Sequence, residues 1–571
     1  MLASGDLDTV WKMEGRFDTK RVVGLLKSCV KMKHLEELHV KISERWSLSH
    51  MHVCIGNTLI DMYAKCGSLA KAQQVFDELP TQDVVSWNAL ISAYAKHDHA
   101  KEAFFYFKRM KHKGFSPNVV TYLCVLKACS SIGSLHECKR VHATIIGKYF
   151  LASNLILGNA LVDMYAKRGL LAHAQEMFDS LPLQDVISWN ALITGYTRHD
   201  LNERALHCFE QMQCKEISPN TVTFISILKA CGKLKAINTG MGIHKILREK
   251  LLHTEIVVGN ALIDMYAKCG FQIRAQETFD ELPIRDIISW TTTIAGFANH
   301  KHPEEALKHF EQMRVEGVPP NAFTFVSALK ACRYGGAIHK GIRIHAEISR
   351  EGLLEKDPVV ANALVDMYAN CGHLHIAFEI LVKLPVKDIL SWNILIGGYG
   401  MQNCPEEVLR SVEEMQCRGV SPNAFTFICI LRACSSLQDI EKGIGTHAEI
   451  VRKGLLDGIH VLGNALIDMY CNCSSFAKAQ EVFKELPSRD IISWNSLIAG
   501  YVGQGLCNEA LNCLELMQSE GLSPSILTLI GILRVCGNTG DIHKGKLIHN
   551  KFISKGLFEK NVVIGNALID M

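Results

Sequence analysis

A sequence unit of about 102 residues recurs along the chain. The motif Ser-Trp-Asn-Ala-Leu-Ile stands at 86–91 and again at 188–193, and near copies follow at the same spacing. Successive tryptophans lie 102, 101, 102 and 102 residues apart, at Trp87, Trp189, Trp290, Trp392 and Trp494. Such self-similarity predicts that the 571 residues form an array of repeats rather than one core.

Each unit divides into three segments, and each segment has an apolar stretch, a short break, a second apolar stretch and a loop. In the second unit the segments are 155–185, 186–220 and 221–255. The middle segment carries two apolar stripes with helical spacing, Trp189-Leu192-Ile193-Tyr196 and Ala205-Cys208-Phe209-Met212. Glycines follow the first stripe of the short segments, where a helix end favours a left-handed residue: Gly67, Gly169 and Gly270. One helix pair cannot bury its apolar face alone, so the pairs are predicted to stack into an all-α solenoid.

Composition excludes several classes of protein. Apolar residues make up 48% of the chain, which argues against disorder, and no run of 18 apolar residues suggests a membrane span. The 21 cysteines recur singly within the repeats, which favours buried reduced thiols over a disulfide framework. With 61 basic and 58 acidic residues, the net charge of +3 is not that of a protein held to nucleic acid mainly by phosphate neutralisation.

The motifs resemble those of plant pentatricopeptide-repeat proteins of the P-L-S subclass. The resemblance rests on Val-[Val/Ile]-Ser-Trp-Asn-Ala-Leu-Ile, Phe-Asp-Glu-Leu-Pro-x-[Gln/Arg]-Asp and Met-x-x-x-Gly-x-x-Pro-Asn, in fixed order from about Thr19 onward. It implies a right-handed superhelical α-solenoid of antiparallel helix pairs that binds single-stranded RNA in a mitochondrion or chloroplast. The N-terminus, with Asp6, Asp8 and Glu14, is unlike a transit peptide.

The segment lengths then define the expected repeats. They are an N-terminal remnant at 1–18, an L-type repeat at 19–52, S-P-L triplets at 53–154, 155–255, 256–357, 358–459 and 460–561, and the start of an S repeat at 562–571. The last seven residues match the start of a helix that earlier copies continue, so the chain is expected to be a fragment or a truncated product that precedes any C-terminal extension.

The resemblance implies that each P or S repeat meets one nucleotide through two polar side chains, one on the first helix and one at the end of the repeat. The implied pairs are Asn57 with Asp83, Asn88 with Asn118, Asn159 with Asp185, Asn190 with Asn220, Asn260 with Asp286, Thr291 with Asn321, Asn362 with Asp388, Asn393 with Asn423, Asn464 with Asp490, and Asn495 with Ser525. Helix geometry agrees, because Asn190 lies roughly 110° from the centre of its apolar stripe and should point along one flank.

The family's base code turns these pairs into an expected target. Asn/Asp favours uridine, Asn/Asn a pyrimidine, Thr/Asn adenosine and Asn/Ser cytidine. The L repeats carry an apolar residue instead, and we expect weak or no base discrimination there: Leu123, Ile225, Val326, Ile428 and Ile530. Read 5′ to 3′ along the chain, the target is U-Y-n-U-Y-n-U-A-n-U-Y-n-U-C-n, with Y a pyrimidine and n unread.

Structural roles compete with these assignments. The asparagine could bond to backbone in the turn between repeats, the closing aspartate could cap the next helix, and the tryptophan could stack on a base instead of packing in the core. His345-Ala346-Glu347 and His447-Ala448-Glu449 match the His-x-Glu of zinc deaminases, but no Cys-x-x-Cys completes such a site. We therefore expect packing histidines, no catalysis by this chain, no metal and no cofactor.

Three functions remain open at this point. The first is sequence-specific RNA binding that selects cytidines for C-to-U editing, with editing cofactor proteins or a deaminase supplied in cis or in trans. The second keeps RNA binding but serves transcript stabilisation, splicing or translation. The third is a protein-binding helical scaffold, which the near-zero net charge favours and the regular polar ladder disfavours.

Overall fold

The structure is a computed structural model that describes residues 19–29, 32–45, 53–131, 135–147, 154–384, 388–456, 460–486 and 489–540, with 542–543, 545–546, 549–550 and 569. The expected remnant 1–18 and most of 562–571 lie outside the described residues. The chain divides into two compact units, residues 1–284 and 285–571. Within the described residues all regular structure is helical, which confirms the all-α prediction.

Unit 1 contains sixteen described helices. They are α1 (Thr19–Ser28), α2 (Met32–Arg45), α3 (Val53–Lys65), α4 (Leu69–Glu78), α5 (Val84–Lys96), α6 (Ala100–His112), α7 (Val119–Ser131), α8 (Leu135–Gly147), α9 (Leu155–Lys167), α10 (Leu171–Asp179), α11 (Val186–Arg198), α12 (Asn202–Cys214), α13 (Thr221–Leu234), α14 (Ile237–Glu249), α15 (Ile256–Lys268) and α16 (Gln272–Asp280).

Unit 2 also contains sixteen described helices. They are α17 (Ile287–Asn299), α18 (Pro303–Val315), α19 (Ala322–Gly335), α20 (Ile338–Arg350), α21 (Leu353–Lys356), α22 (Pro358–Asn370), α23 (Leu374–Lys383), α24 (Ile389–Met401), α25 (Pro405–Cys417), α26 (Ala424–Leu437), α27 (Ile440–Arg452), α28 (His460–Asn472), α29 (Phe476–Glu485), α30 (Ile491–Gly503), α31 (Cys507–Ser519) and α32 (Ile526–Thr539).

In both units the helices alternate between two layers. The first helix of each pair packs against the first helix of the next pair, as α9 does against α11 and α24 against α26. The second helix, such as α12 or α25, packs against its own first helix and the following one. We call the layer of first helices the first-helix layer; it consists of α1, α3, α5, α7, α9, α11, α13 and α15 in unit 1 and α17, α19, α22, α24, α26, α28, α30 and α32 in unit 2.

The repeated tryptophans lie in the core between these layers. Their exposed fraction ranges from 0% to 3%, and Phe178 contacts Trp189 edge-on with ring centroids 4.6 Å apart. The two predicted apolar stripes of α11 and α12 are also buried, which confirms the predicted helix pair. The prediction that the tryptophans pack in the core is confirmed, and the alternative that they stack on bases is wrong for rings that solvent does not reach.

The glycines at the helix ends have the predicted left-handed backbone, and the burial of the cysteines differs between their two motifs. Gly67, Gly169 and Gly270 have φ of +80°, +74° and +84°, as the left-handed helix ends required. The cysteines of the Lys/Arg-Ala/Val-Cys motif, such as Cys332, are buried, and burial raises the pKa of Cys332 to about 12. By contrast Cys371, from the other recurrent motif, is only half-buried, so the expectation of burial is too strong for that set.

No helix in the described part of the chain combines the length and apolar character that a bilayer span requires.

Candidate nucleic-acid interface

The predicted pairs occupy fixed places in the helix geometry. The first member is the fifth residue of a first helix, as Asn88 is in α5 and Asn393 in α24. The second member is the residue immediately before the next first helix, where Asp185 and Asn423 act as N-caps. Two elements that pack side by side therefore supply each pair, and the pair recurs wherever the fifth residue of the first helix is polar.

The structure brings the two members of six pairs into direct contact. Asn159 Nδ2 donates to Asp185 Oδ1 at 2.9 Å, and Asn190 Nδ2 donates to Asn220 Oδ1 at 3.0 Å. The same bond joins the other four pairs over 3.1–3.5 Å: Asn57–Asp83, Asn88–Asn118, Asn393–Asn423 and Asn464–Asp490. An amide nitrogen has two hydrogens, so these asparagines keep a second donor beyond the pair, except Asn159, whose Nδ2 bonds to both oxygens of Asp185.

Three further pairs meet through a third side chain. Ser391 Oγ donates to Asn362 Oδ1 at 2.5 Å and also contacts Asp388 Oδ1. The Thr291 and Thr324 hydroxyls are 2.7 Å apart, and Thr324 Oγ1 donates to Asn321. Thr528 links Asn495 to Ser525 in the same way. Asn260 and Asp286 lie in different units, and their pairing stays a prediction.

This third residue, a buried serine or threonine, was missed by the sequence reasoning. Thr426 lies three residues after the cap Asn423; its hydroxyl donates to Asn393 Oδ1 at 2.7 Å and accepts from the Asn423 backbone N–H. Thr426 is fully buried, so it positions the pair without reaching solvent. The sequence does contain a pattern that indicates this role, because Asp/Asn-x-x-Ser/Thr before an apolar stretch has the spacing of a capping box.

The exposure of the asparagines differs from the expectation. Six of them are nine-tenths buried or more, between 6% and 9% exposed, rather than projecting from the flank: Asn88, Asn159, Asn260, Asn362, Asn393 and Asn464. The closing residues are more open, with Asp83, Asn118 and Asn423 exposed. The helix wheel placed the asparagine correctly outside the Trp stripe, but the neighbouring first helix covers it.

Both structural alternatives are now decided for the pairs in contact. Asn88, Asn159 and Asn393 bond to side chains of the pair or of the capping threonine, so the backbone-turn role is wrong for them. The capping role of the closing aspartates is confirmed, since Asp185 Oδ1 accepts from the Ser188 N–H at 2.9 Å. Asp185 Oδ1 thus accepts both from the Ser188 N–H and from Asn159 Nδ2, while Asp185 Oδ2 lies 3.2 Å from Asn159 Nδ2.

Hydrogen bonds favour the ionised form of three closing aspartates. Burial raises the pKa of Asp83, but hydrogen bonds from Ser86 and Asn57 outweigh it, and the pKa lies below its usual value. The same balance lowers the pKa of Asp388 and Asp490. At neutral pH these carboxylates only accept hydrogen bonds, so a base facing them must present an N–H.

Next to the pairs runs a ladder of exposed apolar side chains, which the sequence reasoning also missed. They are the second residue of thirteen of the described first helices, three positions before the fifth residue, and 48–74% of each is exposed: Val85, Val120, Ile156, Ile187, Val222, Val257, Ile288, Phe323, Val359, Leu390, Phe425, Val461 and Ile492. A regular row of exposed apolar groups marks a surface that a partner covers. The sequence indicates this ladder through an apolar residue on the side of the helix opposite the tryptophan.

One cavity of about 600 Å³ in unit 2 shows which positions share this surface. Asn393, Gly397 and Met401, the fifth, ninth and thirteenth residues of α24, line it. The corresponding residues of α22 and α26 include Asn370 and Ile428, while Leu390 and Phe425 supply the apolar rim. We call the surface formed by the second, fifth, ninth and thirteenth residues of the first helices the paired face.

The His-x-Glu segments lie elsewhere and serve packing. The Nδ1 atoms of His345 and His447 lie 3.0 and 2.9 Å from the hydroxyls of Tyr368 and Tyr470 on the next first helix. Burial lowers the pKa of both histidines. Among the described residues no cluster of three metal-ligating side chains occurs. The packing interpretation of these histidines is therefore supported by their contacts.

Comparisons with known proteins point to one family. Models described as "PPR repeat family" match residues 82–131, 184–233, 285–333, 387–436 and 489–538, and models described as "PPR repeat" match 57–84, 159–184 and 464–491. A chloroplastic pentatricopeptide repeat-containing protein of Arabidopsis thaliana, At4g18520, is 34% identical over 487 residues, covering 85% of this chain and 78% of the relative.

Other relatives are longer than this chain. The mitochondrial Arabidopsis protein At3g53360 is 33% identical over 86% of this chain, which spans 64% of that relative. The crystal structure of the maize pentatricopeptide repeat protein PPR10 superposes with a TM-score of 0.62 at 18% identity, covering 95% of this chain and 85% of PPR10. The solenoid fold is thus shared. The repeats, the fold and the relatives agree that this chain belongs to the pentatricopeptide-repeat family.

Proposed function

We propose that the chain binds single-stranded RNA in a sequence-specific manner along the paired face, one nucleotide per P or S repeat. The observation that carries this proposal is the coincidence of two ladders: in nine of the ten P and S repeats an exposed apolar side chain lies three positions before the first member of the polar pair. The apolar group offers contact to the face of a base, and the pair offers hydrogen bonds to its edge.

The chemistry of the pairs supports the proposed base code. An asparagine beside an ionised aspartate offers a donor and a pure acceptor, which suits uracil, whose N3–H donates and whose carbonyls accept. Where the closing residue is asparagine, the edge accepts and donates and fits either pyrimidine. At L repeats Ile225 or Ile428 offers no polar atom, so discrimination is not expected there.

Two further observations favour RNA over a protein partner. A protein-binding scaffold has varied pockets, whereas these pairs recur with nearly the same contacts along both units. In addition, the PPR10 solenoid has been solved in complex with an 18-nt psaJ RNA element, at a TM-score of 0.58 to this chain.

The finer role we propose is selection of cytidines for C-to-U editing in a plant organelle, with the deaminase supplied elsewhere in the protein or by a partner. It rests on the P-L-S alternation of the segments, and the relatives named chloroplastic or mitochondrial support the location. Sequencing organellar transcripts from plants in which the gene is disrupted tests it: cytidines shortly 3′ of the target sequence should lose editing. Unedited-to-edited ratios that stay unchanged at every such cytidine refute the role.

RNA binding itself is tested with purified protein and an oligonucleotide carrying U-Y-n-U-Y-n-U-A-n-U-Y-n-U-C-n. Exchanging one base at a P or S position should weaken binding about tenfold, the scale of one lost base-edge interaction of ~1.4 kcal/mol. Exchange at an n position should change it less than twofold. Asn393→Ala should abolish discrimination at its own nucleotide, whereas the matched L-repeat variant Ile428→Ala should not. Equal losses at read and unread positions contradict the proposal.

A further inference from the structure

The paired face differs in charge between the two units, although the chain as a whole is nearly neutral. In unit 1 the thirteenth residue is basic in six of the seven first helices from α3 to α15: Lys65, Lys96, Lys167, Arg198, Lys233 and Lys268. In unit 2 none of the eight first helices has a basic residue there: Asn299, Tyr334, Asn370, Met401, Ser436, Asn472, Gly503 and Asn538.

The ninth residues do not cancel this difference. Counting ninth and thirteenth positions together, unit 1 has eight cations and three anions, a formal charge of +5. Unit 2 has three cations and two anions, a formal charge of +1, over one helix more. The lining of the unit 2 cavity by Gly397 and Met401 shows that both positions belong to the paired face.

The unit 1 cations are available to a polyanion. Lys96 and Arg198 are exposed and have Ser92 and Thr194, not acids, at the ninth position of their helices. Lys233 forms an exposed ion pair with Asp200. Lys65, Lys167 and Lys268 pair with the aspartate one turn earlier on their own helices, at 2.7, 2.6 and 2.6 Å. These are solvent-exposed i, i+4 pairs, which contribute little and exchange readily for a phosphate.

Unit 2 offers larger apolar groups in place of charge. At the second position two of its three L repeats have phenylalanine, Phe323, 74% exposed, and Phe425, 48% exposed, where unit 1 has Val120 and Val222. Met401, 69% exposed, replaces the lysine or arginine of the unit 1 P repeats. An exposed aromatic ring stacks on any base, and this contact is insensitive to salt compared with a phosphate contact.

We propose that the two units hold RNA by different forces: unit 1 neutralises backbone phosphates through its thirteenth residues, and unit 2 holds the bases by apolar and aromatic contact. This inference rests on the proposed RNA binding. It predicts that the salt dependence of affinity originates in unit 1. The phosphodiester backbone facing unit 1 is the ligand of the six cations.

The test measures log Kd against log salt concentration for two variants that each lose three positive charges. Replacing Lys96, Lys167 and Arg198 by Gln should flatten the slope by about 2, since each phosphate contact to a single strand contributes roughly 0.7. The control replaces Lys101, Lys139 and Lys245 by Gln, exposed residues on second helices, and should change the slope by less than about 0.5.

The reverse experiment adds charge to unit 2. Asn370→Lys, Met401→Lys and Asn472→Lys together should steepen the slope by about 2, because the new side chains occupy the position of the unit 1 cations. Phe425→Ala should weaken binding roughly tenfold and leave the slope unchanged. RNA binding whose slope is unaffected by the unit 1 variant, or equally affected by its control, overturns the inference alone. Wild-type protein that binds no RNA at any salt concentration overturns the proposed function instead.

Discussion

Thr426→Val tests whether the buried hydroxyl between the members of a pair holds that pair together. Valine keeps the shape of threonine and removes one hydroxyl, which donates to Asn393 Oδ1 at 2.7 Å and receives the Asn423 N–H at 3.3 Å. The second bond is long, and the capping bond from the Thr426 N–H to Asn423 Oδ1, at 3.1 Å, survives. The loss is therefore close to one buried acceptor left without its donor, about 1–3 kcal/mol.

In a stacked array each repeat interacts mainly with its neighbours, so this loss should appear locally. Hydrogen–deuterium exchange of α24 and α26 should accelerate tenfold or more, since ~1.4 kcal/mol corresponds to a factor of ten. The control is Ser436→Ala on the same helix, whose hydroxyl bonds to the Arg432 carbonyl oxygen in an exposed position and should change exchange less than about twofold. Exchange of α24 that does not differ between the two variants would refute the positioning role of Thr426.

Three other predictions concern the pairs and the core. Thr291→Asn should shift the preferred base at that repeat from adenosine toward a pyrimidine by about tenfold in relative Kd, and an unchanged preference in oligonucleotide competition contradicts the code there. Folding lowers the pKa of the Asp388 carboxyl, so its contribution to stability is complete above the unfolded pKa of about 4 and is lost as pH falls through the folded pKa. The urea concentration at the midpoint of unfolding should therefore fall less between pH 6 and pH 3 in Asp388→Asn than in wild type. Trp392→Ala, at a fully buried ring, should destabilise unit 2 by about 3–5 kcal/mol, whereas Met401→Ala should stay within ±0.5 kcal/mol in the same unfolding assay.

Much of the local geometry could be predicted because it depends on short spacings. The Trp189 stripe and the Ala205 stripe repeat every three or four residues, which is enough to place a helix and its buried face. Gly169 ends its helix in the left-handed region because no other residue adopts that backbone as easily. Asp185 caps α11 because a carboxylate there reaches the free N–H groups of the first turn.

The paired face depended on contacts between elements far apart in the chain. Asn393 is buried because α26 covers it and Thr426, 33 residues away, donates to its amide oxygen, and no local period encodes that contact. The exposure of Phe425 likewise depends on how neighbouring helices pack. The charge difference between the units has meaning only because packing places the ninth and thirteenth helix positions on one surface. The repeats, the helix pairs and the residue types of each pair follow from the amino-acid order alone, since they depend on spacing along the chain. Only the stacking of the first helices decided which side chains meet, which are covered and which form one surface.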